Sequence, residues 1–421
     1  MRGFEGTRAR GARPTRSWPL GPALAASVLA VSALLGGAVS APASAAGARG
    51  APMKIGLVCS CSGPLASSYR VGPPAYEAWA KSVNARGGIN GHRVQVIVKD
   101  DGSSPGTSLA EVESLVNDDH VLALVDSTNN DVAWGDYARD HDVPVIGGGA
   151  VTILDLTNPD FFAAGQTEDD FIVAQVEAAK KVGATTIGEL YCSEAATCQE
   201  LVPPLRATAK ALGVKIGYLA QISAGAPNYT AQCLAAKNAG VQALSIGEAV
   251  DTVEAVARDC ARQGFTPYEL VGNGGVATSF TTSPGLGDRS IGFETDIPFF
   301  VDSTPGTRAM NRALERYAPA ILTSPEYNEI ATISWISGLL FGAAAKAGGA
   351  GLHGPATTTQ IYDGLYKLRD DTLGGMAPPL TFRRGVPNPV DCWFWIAIRH
   401  GKFTTPYGLK PHCEKPPPGT L

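Results

Sequence analysis

The stretch from Met53 to Asp101 constrains the fold more than any other part of this chain. M-K-I-G-L-V-C reads as a strand over Lys54 to Val58 and runs into a Ser62-Gly63-Pro64 turn. An amphipathic segment, Pro74 to Ala85, follows and stops at Gly87-Gly88; a second strand, Arg93 to Lys99, ends in Asp100-Asp101. Strand and helix periods that alternate, with Gly at the helix stop, predict a βαβ unit and hence a parallel sheet.

The alternation continues. A helix over Ser108 to Asn117, a strand over Val121 to Val125, a helix ending at Arg139 and a strand over Pro144 to Ile146 complete a first block. The pattern restarts after Phe161-Phe162, with helices Phe171 to Val182, Glu200 to Leu212, Tyr229 to Ala239 and Thr252 to Gln263. These interleave with strands Thr186 to Tyr191, Lys215 to Ile222, Ala243 to Ile246 and Glu269 to Gly272. That is a second doubly wound block. Near Phe293 to Phe300 the chain is expected to return to the first block and add helices Pro305 to Tyr317, Glu326 to Ala347 and Thr358 to Leu368. Cys392 to Ile398 alternates like a strand, and the Pro-rich end is expected to fray. No repeat of 20–50 residues is visible.

At 421 residues the chain is too long for one ordinary core, and two domains are expected. Its hydrophobic content of 44% and charged content of 17% describe a globular chain, not a disordered one. The N-terminus reads as a secretory signal peptide, residues 1–45: Arg2, Arg8, Arg10, Arg13 and Arg16, then the apolar run Leu20 to Val39, then Ala43-Ser44-Ala45. The glycines and Pro22 in the run, with the A-x-A ending, argue against a membrane anchor. Removing that segment leaves 29 Lys+Arg against 38 Asp+Glu, a net charge near −9. Such an acidic chain is a poor partner for nucleic acid or an anionic membrane.

Eight cysteines in an exported chain read as disulfides. The expected pairs are Cys192/Cys198, Cys233/Cys260 and Cys392/Cys413. Cys59 and Cys61 are left over, at a spacing awkward for a mutual bond. A metal reading of Cys59-x-Cys61 lacks a second ligand pair with zinc-like spacing.

Taken in order, several short motifs resemble the leucine-isoleucine-valine type solute-binding proteins of ABC transporters. They are Ser62-Gly63-Pro64, G-G-I-N-G at Gly87 to Gly91, Asp100-Asp101, V-P-V-I at Val143 to Ile146, the helix end Ala261 to Phe265, G-G-V-A at Gly274 to Ala277 and L-T-F at Leu380 to Phe382. The resemblance spans Met53 to Lys402. It implies an α/β clamshell: two doubly wound parallel-sheet lobes joined by three hinge crossovers, the type I periplasmic binding protein fold. Lobe one would comprise 53–165 plus 300–380, lobe two 166–299 plus 381–413, with 414–421 a flexible tail. It also implies a small-molecule ligand, an ABC transporter permease as partner, a monomer, no cofactor and no catalysis. No cysteine follows the apolar run to carry a lipid, as many relatives do, so a free exported protein is expected.

Ligands of open parallel sheets bind beyond the carboxyl ends of the strands. The loops to inspect are therefore Ser62 to Tyr69, Asp126 to Asp131 and Gly147 to Thr152 on lobe one, and Cys192 to Thr197, Gly247 to Asp251 and Asn273 to Gly275 on lobe two. Ser127, Thr128 and Asn129 offer hydroxyls and N–H groups at a helix start, a natural anion cradle, although Asp126 and Asp131 oppose an anion; plain helix capping is the competing reading. The resemblance gives Thr128 a role in holding a ligand carboxylate, Thr152 a contact with the ligand and Tyr69 a role as a cover. Ala150 follows a three-glycine run that lets backbone approach a ligand. Amino-acid binders carry an acid at the position matching Gly274, which cannot pair with an ammonium. Glu248 is the candidate replacement, and Glu194 and Asn273 complete the expected set. A small polar or carboxylate-bearing solute, an aromatic or hydroxylated acid rather than valine or leucine, is the expected ligand.

Enzyme readings find little support. There is no G-x-S-x-G and no H-E-x-x-H, and the six histidines are scattered and expected at the surface. Gly272 to Ala277 fits G-x-G-x-x-A after a strand, with Glu294 about 20 residues on, a weak dinucleotide signal. Asn228-Tyr229-Thr230 is a formal glycosylation sequon that also reads as a helix start. A ligand-sensing receptor with the same clamshell is the alternative to delivery.

Overall fold

The structure, a computed structural model, describes residues 50–420 except Ala150, Val151, Gln166 and Asn273. The expected signal segment lies outside the described residues, as do the candidates Ala150 and Asn273.

Two sheets organise the chain. The first contains β1 (Met53–Cys59), β2 (Val94–Asp100), β3 (Leu124–Ser127), β4 (Val145–Gly148) and β5 (Phe161–Phe162) in the order β2-β1-β3-β4-β5, all parallel. β1 is an interior strand, buried on both faces. Leu57 packs into the core beneath helices Gly72–Asn84 and Glu329–Ala347, and Val58 into the opposite core with Val112, Leu115 and Trp134. Such two-sided burial is what turns a parallel strand into a continuous apolar run. Gly338 lets the two helices touch: a Cβ there would lie 2.3 Å from the Trp79 ring. The Glu329–Ala347 helix is apolar and long enough to cross a membrane, but 78% of its most apolar window is buried within this core.

The second sheet contains β6 (Thr186–Cys192), β7 (Lys215–Ile222), β8 (Ala243–Gly247), β9 (Tyr268–Val271), β10 (Ser290–Glu294), β11 (Cys392–Arg399) and β12 (Lys402–Thr404) in the order β12-β11-β10-β9-β8-β6-β7, and β13 (His412–Cys413) pairs with β11. β6 to β10 run parallel, and β11 joins antiparallel. Helices Glu168–Lys181 and Val202–Ala211 cover one face, through Ile172, Val176, Leu205 and Ala209. Helices Thr230–Asn238 and Val250–Arg262 cover the other, through Cys233, Val253, Val256 and Cys260.

Three segments cross between the lobes: β5 to the Glu168 helix, β10 to the Pro305–Tyr317 helix, and the Thr358–Leu365 helix to β11. They run side by side. Val390 N–H donates to the Thr167 hydroxyl at 3.1 Å, and a Cβ on Gly165 would lie 2.7 Å from the Thr295 carbonyl.

One strand goes beyond the sequence reading and two expectations need correction. Residues Ser290–Glu294 form a full strand of the second sheet before the chain leaves it. Cys59 and Cys61 are bonded to each other, because the chain bends at Ser60, just past the end of β1, and brings their Cα atoms to 5.1 Å; the other three pairs form as expected. His92 is buried rather than superficial, its two ring nitrogens bonded to the carbonyls of Ala51 and Gly351.

Candidate functional site

A cleft of about 1230 Å³ of empty space, part of it open to solvent, lies beyond the carboxyl ends of the strands and is walled by both lobes. Lobe one contributes Leu65, Ser68, Tyr69, Asn129 and Gly149. Lobe two contributes the ends of β6, β8 and β9, including Gly247, Glu248 and Gly274. The cleft also burrows between the second sheet and its covering helices, where Phe171, Gln175, Glu189, Leu205, Ser245 and Phe293 line it. Most of this wall is apolar, as in cavities that enclose the body of a small molecule.

Hydrogen bonds between the lobes close its rim. Ser67 Oγ donates to Asp251 Oδ1 at 2.6 Å, and Ser68 Oγ donates to the Gly274 carbonyl at 2.5 Å. Asn328 steadies this edge by donating from Nδ2 to the Ser68 carbonyl at 3.0 Å. Gly274 adopts φ +67°, the left-handed conformation that glycine takes without strain, and so turns its carbonyl toward Ser68.

Of the residues singled out in the sequence, the structure brings four of those described to the cleft: Tyr69, Asn129, Glu248 and Gly274. Tyr69 is buried and donates its hydroxyl to Asn129 Oδ1. Burial, together with Asp126, Asp131 and Asp101, holds its phenol well above the ordinary tyrosine range. The other four described candidates are not among its lining residues. Thr128 donates its hydroxyl to Asp101 Oδ2 at 2.6 Å and shares a hydrogen bond with Ser60 at 2.8 Å. Thr152 donates to Asp131. Ser127 is fully buried, its hydroxyl without a partner among the described residues. Glu194 accepts from the Ser223 hydroxyl at 2.9 Å and the Ala224 N–H at 2.8 Å. The Ser127–Asn129 turn is thus packed against carboxylates rather than open to an anion. Burial raises Asp126, and Asp131 reaches about 7.

The polar chemistry of the cleft is acidic. Among its described lining residues there is no Lys, Arg or His, whereas Glu189, Glu248 and Glu269 all line it. Burial lifts Glu248 to about 9, aided by the nearby charge of Glu194 and a hydrogen bond with its side chain, against the Ala249 backbone N–H. Burial lifts Glu189 to about 7, against the hydrogen bonds of Ser245 and Gln175; the Gln175 amide donates to Glu189 Oε2 at 2.5 Å. Glu269 stands near 8 from burial, opposed by Arg289. Desolvation dominates in all three, since an ionised carboxylate loses more than a neutral one when water leaves. Carboxyls held neutral in this way can donate a hydrogen bond, or ionise when a cation arrives.

Sequence reasoning missed Gln175, Glu189, Ser245 and Glu269 because they lie on helix and strand faces rather than in strand-end loops. The available signal was a glutamate inside each of the apolar strands T-I-G-E-L-Y and Y-E-L-V. The weak dinucleotide pattern finds no support. Only a short 3₁₀ turn, Thr278–Thr281, follows Gly272 to Ala277, so no long helix offers its N-terminus to a pyrophosphate, and Glu294 is fully buried.

Comparison with known proteins agrees with this geometry. The sequence profile described as "Periplasmic binding protein" matches residues 52–401. The leucine-, isoleucine-, valine-, threonine- and alanine-binding protein of Pseudomonas aeruginosa is 24% identical over 291 residues, 67% of this chain and 77% of the relative. A branched-chain amino acid ABC transporter protein of Thermus thermophilus with bound valine superposes with a TM-score of 0.76 at 15% identity, covering 87% of this chain and 97% of that one. A solute-binding protein of an ABC transporter from R. palustris, in complex with benzoate, gives 0.69 at 16% identity, covering 84% and 95%. A fatty acid ABC transporter substrate-binding protein from Thermomonospora curvata gives 0.72 at 16%, covering 88% and 93%. The two-lobed α/β architecture, the cleft at the strand ends and a profile match over most of its length show that this chain belongs to the periplasmic binding protein family.

Proposed function

We propose that this protein is an exported solute-binding component of an ABC importer, and that its cargo is a largely apolar solute bearing an ammonium or several hydrogen-bond donors. The observation that carries the reading is a cleft walled by both lobes that holds three buried glutamates and, among its described lining residues, no cationic side chain. An anion entering it would lose its hydration and find no cationic side chain to pair with among the described lining residues. A cation would find the buried Glu248 carboxyl lining the cleft just past the end of β8. Glu248 then takes the role that Gly274 is unable to fill. The apolar wall from Leu65, Phe171, Leu205 and Phe293 encloses the rest of the solute. This revises the sequence expectation of a carboxylate-bearing ligand, because the Thr128 and Thr152 hydroxyls are already donated to buried aspartates.

Binding in such a clamshell proceeds on one lobe and is completed by closure, which exchanges water for fixed polar groups. The test is a thermal-melting panel of apolar amines, neutral amides and matched carboxylic acids. Stabilisation by amines or amides with no response to the acids is expected. Stabilisation by the acids alone contradicts the reading.

A further inference from the structure

Beside the second crossover stand three carboxylates that do not line the cleft. Glu294 ends β10 on lobe two, Asp296 follows within the crossover, and Glu329 opens the Glu329–Ala347 helix of lobe one. All three are fully buried. One oxygen from each lies within 4.8 Å of the others.

Their hydrogen bonding is incomplete in one direction. Thr295 donates to Glu329 Oε1 from its N–H at 2.5 Å and its hydroxyl at 2.8 Å, and Phe299 N–H donates to Glu294 Oε2 at 3.0 Å. Glu294 Oε1 and both oxygens of Asp296 have no partner among the described residues. Asp296 is the telling residue: a fully buried carboxyl with neither oxygen satisfied, placed between two others. Buried charges persist when they are paired or coordinate a metal. Calcium binds oxygens at about 2.3–2.6 Å, so its ligand oxygens stand no more than about 5 Å apart, the spacing found here.

We propose that Glu294, Asp296 and Glu329 form a binding site for one hard divalent cation, calcium by size, which ties the end of β10 to the start of the Glu329–Ala347 helix. An all-carboxylate set excludes a preference for soft metals. The ion joins a strand of lobe two to a helix of lobe one through the crossover between them, so it stiffens the hinge without touching the solute. The inference is independent of the cargo.

The experiment uses the full protein, dialysed against EDTA and then against metal-free buffer. Metal content is measured after equilibration with CaCl₂, MgCl₂ or MnCl₂, and melting is followed in parallel. Wild type is expected to retain one calcium per chain and to melt roughly 5 °C higher with calcium at a hundredfold excess over Kd. Asp296→Asn is expected to lose both effects; Glu294→Gln serves the same purpose if the first variant does not fold. Less than 0.1 metal per chain with no melting shift in wild type would overturn the proposal and leave protons as the neutralising charge. Undiminished calcium binding in a folded Asp296→Asn or Glu294→Gln variant would overturn it equally, by placing the metal elsewhere.

Discussion

Ser67 and Asp251 grip each other across the cleft: the Ser67 hydroxyl donates to Asp251 Oδ1 at 2.6 Å, and the Asp251 N–H points back at Ser67 Oγ at 3.3 Å. Residues 184 apart in sequence meet only because the two lobes face each other. Asp251 sits in the first turn of the Val250–Arg262 helix, where the helix dipole favours a carboxylate. Ser67→Ala removes the bridge and leaves the lobes to separate more freely. One such hydrogen bond contributes about 1 kcal/mol, so solute affinity should fall roughly fivefold, chiefly through faster release. Stopped-flow binding checks this; an unchanged dissociation rate would mean that the bridge does not latch the closed form.

Glu248 makes ligand-free stability depend on pH. Its carboxyl ionises near 4.5 when unfolded and near 9 in the fold, so the unfolded chain sheds the proton first. Stability is therefore lost as pH rises from about 4.5 toward 9, and the cost at pH 7 is about 3 kcal/mol. Glu248→Gln should be more stable than wild type at pH 7 and should flatten this part of the pH profile. Urea melts between pH 5 and 9 give the comparison. A variant less stable than wild type at pH 7 contradicts the assignment.

The same group predicts proton release on binding. An ammonium beside Glu248 favours the ionised carboxylate, so cation affinity should rise with pH between 6 and 9, by up to about tenfold per pH unit. Calorimetry in two buffers of different ionisation enthalpy counts the protons released. A pH-independent affinity with no proton release would contradict the Glu248 role.

Gln175 and Glu189 form the polar floor of the buried part of the cleft. Gln175→Leu removes the amide donor and leaves Glu189 supported by Ser245. The loss should be about 1–3 kcal/mol where Glu189 is ionised, above pH 7, and smaller at pH 5, where it is protonated. Denaturant melts at the two values separate this from a simple packing defect, which would cost the same at both.

The disulfides should differ in weight. Cys233–Cys260 staples helices Thr230–Asn238 and Val250–Arg262 across 27 residues, whereas Cys59–Cys61 closes a separation of only 2. Chain-entropy arithmetic gives about 3–4 kcal/mol for the first and about 1.5 for the second. Paired Cys→Ala variants, compared by urea unfolding, should keep that order.

The sequence made most of the framework readable where strand and helix periods were clean. β1, β7 and the Pro305–Tyr317 helix fall where the pattern placed them, because apolar alternation and helix caps are local signals. β10 escaped because S-I-G-F-E carries a glycine at its centre. That glycine is there for a non-local reason: a Cβ on Gly292 would stand 1.7 Å from the Val271 carbonyl. The Cys59–Cys61 bond escaped because it depends on where β1 ends. The rim of the cleft was legible through strand-end loops, which gave Tyr69, Asn129, Glu248 and Gly274. Its interior was not, since Gln175 and Glu189 meet only when the Glu168–Lys181 helix lies on the second sheet.

Native mass spectrometry tests the central claim most directly, with wild type and Glu248→Gln each offered equal amounts of an apolar amine and its matched carboxylic acid. The account predicts a one-to-one complex of wild type with the amine, reduced at least tenfold in the variant, and no complex with the acid. A one-to-one complex with the acid, equally abundant in both proteins, would contradict it.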